Sequence, residues 1–205
     1  MIQYSKVLFQ KPHIEDIPKK NCLSSDEVKC VRIISMTKSE KRPLPESANY
    51  CVIDAPFGRL GIQTELVDGS LMLSKIDYLP SRVSLIKPQN GLAREVAKQC
   101  KAYFKDPLFQ FDLPMKPLGT AHQQKVWGRV RKIPSGNAAT YGEVAKEIKS
   151  GARAVGTACG ANPFPLVTPC HRVVSAQGIG GFMKEDSPGF YRQIKIWLLK
   201  HEGVI

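Results

Sequence analysis

The sequence predicts an α+β protein: a small N-terminal α/β domain over residues 47–113, built on an antiparallel sheet, and a mostly helical domain over residues 114–205. Three observations lead there. Residues 48–79 alternate apolar and polar side chains between turn signals at Pro56-Phe57-Gly58 and Asp68-Gly69, the pattern of hairpin-linked strands. Beyond residue 119 the apolar positions instead recur at helical spacing, and two of the repeats open on a capping pattern. Hydrophobic residues make up 42% of the 205, enough for a packed core and too many for a disordered polymer.

Taken in order, residues 1–46 mix Pro12, Pro18, Pro43 and Pro45 with the charged run KSEKRP around one strand-like patch, Val28 to Met36. They are read as an N-terminal extension. The meander follows. Leu92, Val96, Cys100 and Tyr103 then recur at i, i+4, i+8 and i+11, which predicts an amphipathic helix over 90–105. Pro107, Pro114 and Pro117 make 106–118 an interdomain linker. Thr120 and Gln123 form a capping box ahead of Val126, Trp127, Val130 and Ile133, and Pro134-Ser135-Gly136 ends that helix. Thr140 and Glu143 repeat the box ahead of Val144, Ala145 and Ile148. After a short break at Ser150-Gly151, ARAVGTACGA (152–161) makes a third short helix, and the pair suggests a helix-turn-helix. Pro163, Pro165 and Pro169 forbid helix, so residues 166–168 are expected as a short buried strand that delivers Cys170 to a turn. Ser187-Pro188 opens a last helix with Tyr191, Ile194, Trp197 and Leu198 inward and Gly203 as its stop.

The charge is +12, from 30 basic and 18 acidic side chains, and it is uneven: residues 114–205 hold 13 basic and 5 acidic ones. Such an excess favours a polyanionic partner, with nucleic acid the default. No run approaches the roughly 20 apolar residues of a membrane span. The first residues carry no apolar core with a small-residue cleavage site, so a cytoplasmic protein is expected. Cys22, Cys30, Cys51, Cys100, Cys159 and Cys170 show neither C-x-x-C nor H-x-x-x-H spacing, so no metal site and no disulfide framework is expected.

The chemistry sits in NPFPLVTPCHRVV (162–174). A thiol with a pKa of about 8.5 is mostly protonated at neutral pH, and its reactive form is the thiolate. His171 as base and Arg172 as a neighbouring positive charge would raise the thiolate fraction of Cys170. A histidine base needs a third group to hold its ring. Glu202 is the candidate, since a carboxylate at a helix C-terminus opposes the dipole and calls for a reason. A single cysteine is more often core than catalyst, and adjacent side chains on an extended segment point apart. The Cys-His pair alone therefore leaves a core residue and a Cys-His hydrolase open.

The wider blocks narrow this. FDLP (111–114), GTAHQQKVW (119–127), IPSGNAATYGEVA (133–145), ARAVGTACGANP (152–163), PCHRVV (169–174) and WLLKHEG (197–203) together resemble the methylated-DNA–protein-cysteine methyltransferases, the O6-alkylguanine-DNA alkyltransferase family. The resemblance is strong over residues 106–205, moderate over 48–105 and absent over 1–46. It implies a ribonuclease H-like N-terminal domain and a winged-helix-like C-terminal domain. It also implies a monomer without cofactor, acting on double-stranded DNA that carries alkylated guanine. Cys170 would take the alkyl group from O6 of guanine, and less well from O4 of thymine, once per molecule, because S-methylcysteine is a stable thioether. His171 would act through a water, held by Glu202. Tyr141 would protonate guanine N3 and position the phosphate of the flipped nucleotide. Asn162 would tie the DNA-binding helix to the cysteine turn, framed by Pro169, Arg172 and Val173.

A base inside a duplex must leave the stack before such chemistry. Gly151, Ala152, Ala154, Gly156, Ala158 and Gly160 leave the third helix nearly bare, with Arg153 as its one long side chain. Small residues serve close packing within a protein equally well. The resemblance favours the DNA-facing reading, with this helix in the minor groove, Arg153 filling the gap left by the base, and Thr140, Ala152 and Gly156 at the interface. Contacts mainly to phosphates imply weak sequence preference and strong salt dependence. The chain departs from the family pattern in three places. Phe182 stands where a tyrosine is usual in the wall of the guanine pocket, and the loop before the last helix is longer. The turn at 149–151 is short. His13, Cys22, Cys30 and Cys51 do not reproduce the zinc set of vertebrate members.

Overall fold

Period-two alternation with two turn signals produces three antiparallel strands in the computed structural model, which describes residues 49–183 and 189–205. The extension 1–46 and the expected helix start at Ser187-Pro188 lie outside the described residues. Strands β1 (Tyr50–Ala55), β2 (Gly58–Val67) and β3 (Ser70–Leu79) lie in the order β1-β2-β3. Gly58 sits at φ 138°, and a Cβ there would stand 2.6 Å from the Leu79 carbonyl oxygen, so the first turn demands glycine. Asp68 and Gly69, at φ 48° and 79°, close the second hairpin as a two-residue turn.

Leu60 and Ile62 alternate onto one face, and a register shift opposite Gln63 and Thr64 brings both Leu73 and Ile76 of β3 to the same buried cluster, which also takes in Ala93, Val96, Cys100 and Tyr103 of helix α1 (Gly91–Lys105). Asn90 caps α1 by accepting from the Ala93 amide at 2.8 Å, while its Nδ2 donates to Thr64 Oγ1 at 2.9 Å. One residue thus starts the helix and pins it to the sheet. The proline-rich stretch 106–118 is also held to the sheet: the Leu73 amide donates to Pro114 O at 2.8 Å, and the Lys116 amide to Leu73 O at 2.9 Å.

In the second half, α2 (Ala121–Val130), α3 (Tyr141–Glu147) and α4 (Ala152–Gly160) pack around Val126, Trp127, Val130, Ile133, Val144 and Val155. Both predicted capping boxes form, Thr120 with Gln123 and Thr140 with Glu143. Trp127 Nε1 donates to Ala158 O at 2.8 Å, tying α2 to α4. The turn between α3 and α4 is as short as its sequence suggests, with Lys149 in the left-handed region at φ 54° and the Ser150 amide on Ala145 O at 2.8 Å.

One expectation fails. Residues 166–168 are turns, not strand: the Thr168 amide closes on Phe164 O at 2.8 Å, and Leu166 lies at φ 73°. Prolines at 163, 165 and 169 remove the amides a ladder would need. Phe164 and Leu166 are buried all the same, in the cluster shared with the sheet and α1. The strand that does form, β5 (Val173–Val174), lies after the cysteine and pairs in parallel with β4 (Ala139–Thr140). Two residues are too few for a periodicity to reveal.

Helix α5 (Phe190–His201) ends at Gly203, φ 71°, with the Val204 amide on Leu199 O at 2.9 Å, the glycine stop expected from sequence. Ile194 and Leu198 are buried as predicted, Tyr191 and Trp197 only half-buried, and Lys195 and Leu199 are buried as well. Ile194, Leu198 and Phe182 join the cluster of the sheet and α1, so one core crosses both halves of the chain. The fold is mixed α/β, with a three-stranded antiparallel sheet and five helices among the described residues. No helix among them is long and apolar enough to cross a membrane.

Candidate active site

Cys170 opens a single turn of 3-10 helix, Cys170–Arg172, and both flanks of that turn are fixed. Upstream, Asn162 donates from Nδ2 to Thr168 O at 2.8 Å and accepts the Phe164 amide at 3.0 Å. Asn162 follows directly on α4, so the helix end and the cysteine turn move as one piece. Pro169 is buried and supplies no amide. Downstream, Val173 is buried and starts β5. The turn replaces the extended segment in which successive side chains would simply alternate.

His171 is 1% exposed, and its Nε2 lies 2.9 Å from Glu202 Oε1. A carboxylate only accepts, so Nε2 carries the proton and Nδ1 presents a lone pair. Nδ1 is buried and has no hydrogen-bond partner among the described residues. Arg172 grips the same carboxylate at two points, Nε to Oε2 and Nη2 to Oε1, both at 2.8 Å, and its Nη1 donates to Ile133 O at 2.6 Å. Burial alone would raise the Glu202 carboxyl, but His171 and Arg172 outweigh it and hold it down at about 2. For His171 burial dominates and lowers its pKa, with Glu202 opposing. The imidazole is therefore neutral at neutral pH, with a lone pair on Nδ1. The third group that the sequence assigned is in place.

The thiol of Cys170 is 5% exposed and meets the side chain of Cys159, from the last turn of α4. That contact first, then burial, pushes Cys170 well above the ordinary thiol range, while Asn162 and Lys195 pull it down. The same contact lowers Cys159. The pair gives up one proton more readily than a second, because two adjacent sulfurs cannot both carry charge cheaply. All four described cysteines are free.

Lys195 was not anticipated. Fully buried in α5, it donates to Val173 O at 2.8 Å and Gly181 O at 3.0 Å, and burial lowers its pKa to about 8. Its Nζ stands 5.8 Å from the ring centres of Tyr141 and Phe182. A signal was available: Lys195, Leu199 and Glu202 recur at i, i+4 and i+7, the stripe that faces the site. Tyr103 was read only as an apolar position, yet its hydroxyl donates to Glu202 Oε1 at 2.7 Å.

Tyr141, the first residue of α3, is half-buried, and its hydroxyl donates to Gly181 O at 3.2 Å. A Cβ at Gly156 would sit 3.8 Å from its ring. Phe182 is buried and packs on Tyr78, ring centres 5.8 Å apart. Arg153 and Ala152 stand exposed in the first turn of α4, with Ala154 and Thr157, while Val155, Ala158 and Cys159 face inward. Thr140 spends its hydroxyl on capping α3. The structure thus joins His171, Arg172 and Glu202 by hydrogen bonds, sets the Cys170 thiol against Cys159 with Asn162 and Lys195 acting on it, places Pro169 and Val173 on the flanks of the cysteine turn, and sets Tyr141 and Phe182 around Lys195. Arg153, Ala152 and Thr140 do not enter that network. Among the described residues no group of three or more histidines, cysteines or acids could hold a metal; His13, Cys22 and Cys30 lie outside them.

Comparison with known proteins bears on the family of the chain. Residues 121–204 match the family model described as 6-O-methylguanine DNA methyltransferase, DNA binding domain. The methylated-DNA–protein-cysteine methyltransferase of Methanosarcina acetivorans is 33% identical over 161 residues, covering 75% of this chain and 97% of that protein. Its counterpart in Mycobacterium leprae is 39% identical over 132 residues, 62% of this chain and 78% of that one. Among solved structures, the O6-methylguanine methyltransferase of Mycobacterium tuberculosis superposes with a TM-score of 0.60 at 36% identity, covering 76% of this chain and 92% of that chain. The same organism's OGT in complex with DNA gives a TM-score of 0.58 at 36% identity, covering 75% and 92%. On a relative matched nearly end to end and a fold shared with solved members, the chain belongs to the methylated-DNA–protein-cysteine methyltransferase family.

Proposed function

We propose that this protein repairs alkylated DNA by moving the alkyl group from O6 of guanine, and less well from O4 of thymine, onto Cys170, irreversibly and once per molecule. The observation that carries the reading is the state of His171: Nε2 fixed on Glu202, Nδ1 buried without a partner beside the cysteine turn. A ring so held is a base aimed at a proton it does not yet share. In the proposed step, the Cys170 proton passes through one water to His171 Nδ1, and Glu202 stabilises the imidazolium. The thiolate attacks the alkyl carbon in line, the S–C bond forms and the C–O6 bond breaks. Guanine leaves as an anion and takes a proton at N3 from the Tyr141 hydroxyl. The product is a thioether, a bond stable to the acid–base groups of the site, so the transfer ends the protein's activity.

The target base must first leave the duplex. The exposed, nearly bare face of α4 supports a minor-groove approach in which Arg153 takes the place of the extruded base. At 5% exposure Cys170 is reached only when part of its surroundings gives way. The loop through Gly178 and Gly180, at φ 149° and 72°, is built of glycine turns and is the element proposed to yield. The same reading takes residues 47–113 as a ribonuclease H-like domain and 114–205 as a winged-helix-like domain whose helix-turn-helix is α3 and α4. The protein acts as a cytoplasmic monomer.

The test is methyl transfer from a duplex labelled at O6-methylguanine. The expected result is a single burst that plateaus at one label per protein molecule. DNA binding without transfer would mean a lesion sensor, and continued turnover would mean a hydrolase.

A further inference from the structure

We infer that Tyr103, on α1, is a positioning residue for the proton transfer, acting through Glu202 to keep His171 neutral. The inference rests on the reading of His171 as the base. Among the described residues Glu202 Oε1 accepts three hydrogen bonds, from Tyr103 Oη at 2.7 Å, Arg172 Nη2 at 2.8 Å and His171 Nε2 at 2.9 Å, whereas Oε2 accepts one, from Arg172 Nε. Oxygen Oε1 is thus the one that would stabilise an imidazolium, and Tyr103 draws on the same electron density. A donor placed there weakens the pull of the carboxylate on a histidine proton. Without it, Glu202 would favour the charged ring more strongly, and the base would be spent at higher pH.

Tyr103 is built for a fixed donor. It is 1% exposed. Burial first, and Glu202 second, hold its phenol well above the ordinary range, so it keeps its proton at any working pH. Its position is set from two sides: the ring lies edge-on to His201, centres 5.3 Å apart, and His201 Nε2 meets the Tyr103 carbonyl at 2.8 Å. Among the described residues the groups that face Glu202 are Tyr103 from α1, Tyr78 from β3, and His171 and Arg172 from the cysteine turn, while His171 itself also feels the positive charges of Arg172 and of Lys195 from α5, which both lower it. Tyr78 Oη is buried and makes no hydrogen bond among the described residues, so Tyr103 is the phenol bonded to the carboxylate. The half of the molecule that carries the sheet therefore reaches into the proton path.

The experiment titrates His171 by NMR in histidine-labelled protein and, in parallel, follows the pH dependence of methyl transfer. Three full-length proteins are compared: the natural one, Tyr103→Phe, and one with 3-fluorotyrosine at 103, a stronger donor. Losing a hydrogen bond to a buried charge is expected to raise the His171 pKa by about one unit. The acid limb of the Tyr103→Phe rate profile moves up with it, while rates on the alkaline plateau stay near those of the natural protein. Fluorotyrosine shifts both downward. Superimposable His171 titrations in all three proteins would overturn the inference, as would a loss in Tyr103→Phe by one factor at every pH. If Tyr103→Phe does not fold, the fluorotyrosine protein decides by the direction of its shift. A natural protein that transfers no methyl group defeats the repair reading, and the NMR titration then still decides what Tyr103 does to His171.

Discussion

Glu202 concentrates the electrostatics of the site in one side chain. Its folded pKa, about 2, lies below the ordinary carboxylate value of 4.5, so the charged form is favoured by folding. The sign follows: this stabilisation is complete above pH 4.5 and is lost as pH falls toward 2, worth roughly 3 kcal/mol across that window. Acid unfolding of the natural protein should therefore be steep below pH 4.5. Glu202→Gln should be less stable at neutral pH, by roughly 2–4 kcal/mol, because the half-buried Arg172 loses its counter-charge, and flatter in its acid dependence; denaturant melts at pH 7 and pH 4 check both. Lys195 works in the opposite range. Its charge, present below about pH 8, favours negative charge on Cys170. Lys195→Met should react more slowly than the natural protein at pH 7, and the gap should close as pH rises through 8; a pH series of Cys170 alkylation rates measures the ratio. The sequence marked Cys170, His171, Arg172 and Glu202 because one block and one helix end carry them, and the structure bonds the last three to one another. It missed Lys195 and Tyr103, because polar tips on stripes of apolar spacing look like core.

Among the elements, the capped helices were the most legible. Thr120 with Gln123 and Thr140 with Glu143 state the helix starts in four residues each, and both boxes form. The stretch around residues 166–168 was not legible, since prolines exclude helix and ladder alike and leave the turns to be set by where Phe164 and Leu166 find a core. Helix α4 shows what the division of faces is for. Val155, Ala158 and Cys159 anchor it, and Ala152, Arg153, Ala154 and Thr157 stay in solvent. If Arg153 fills the space of an extruded base, Arg153→Ala should react with free O6-benzylguanine near the natural rate but lose one to two orders of magnitude on duplex DNA, as expected when roughly 1–3 kcal/mol of base-gap contact is removed. Single-turnover rates on the two substrates make the comparison. Equal loss on both would assign Arg153 to folding or chemistry instead.

The whole molecule does not divide as cleanly as its sequence. Alternation before residue 80 and helical spacing after 119 are two local grammars, and each half folds as its own pattern dictates. What local patterns cannot show is that Phe164, Phe182, Ile194 and Leu198 complete the core of the sheet and α1, or that Tyr103 reaches Glu202 across 99 residues of chain. The charge also belongs to this scale. With a net +12, affinity for duplex DNA should fall steeply with salt whether or not the duplex is methylated. Permanent capture of the alkyl group by Cys170 is tested most directly by mass. Protein incubated with O6-methylguanine duplex should gain the mass of one methyl group, carried on the peptide that contains Cys170, and Cys170→Ala should gain none while still binding DNA. An unchanged intact mass in a folded, reduced sample, or a methyl group on any other residue, would contradict it.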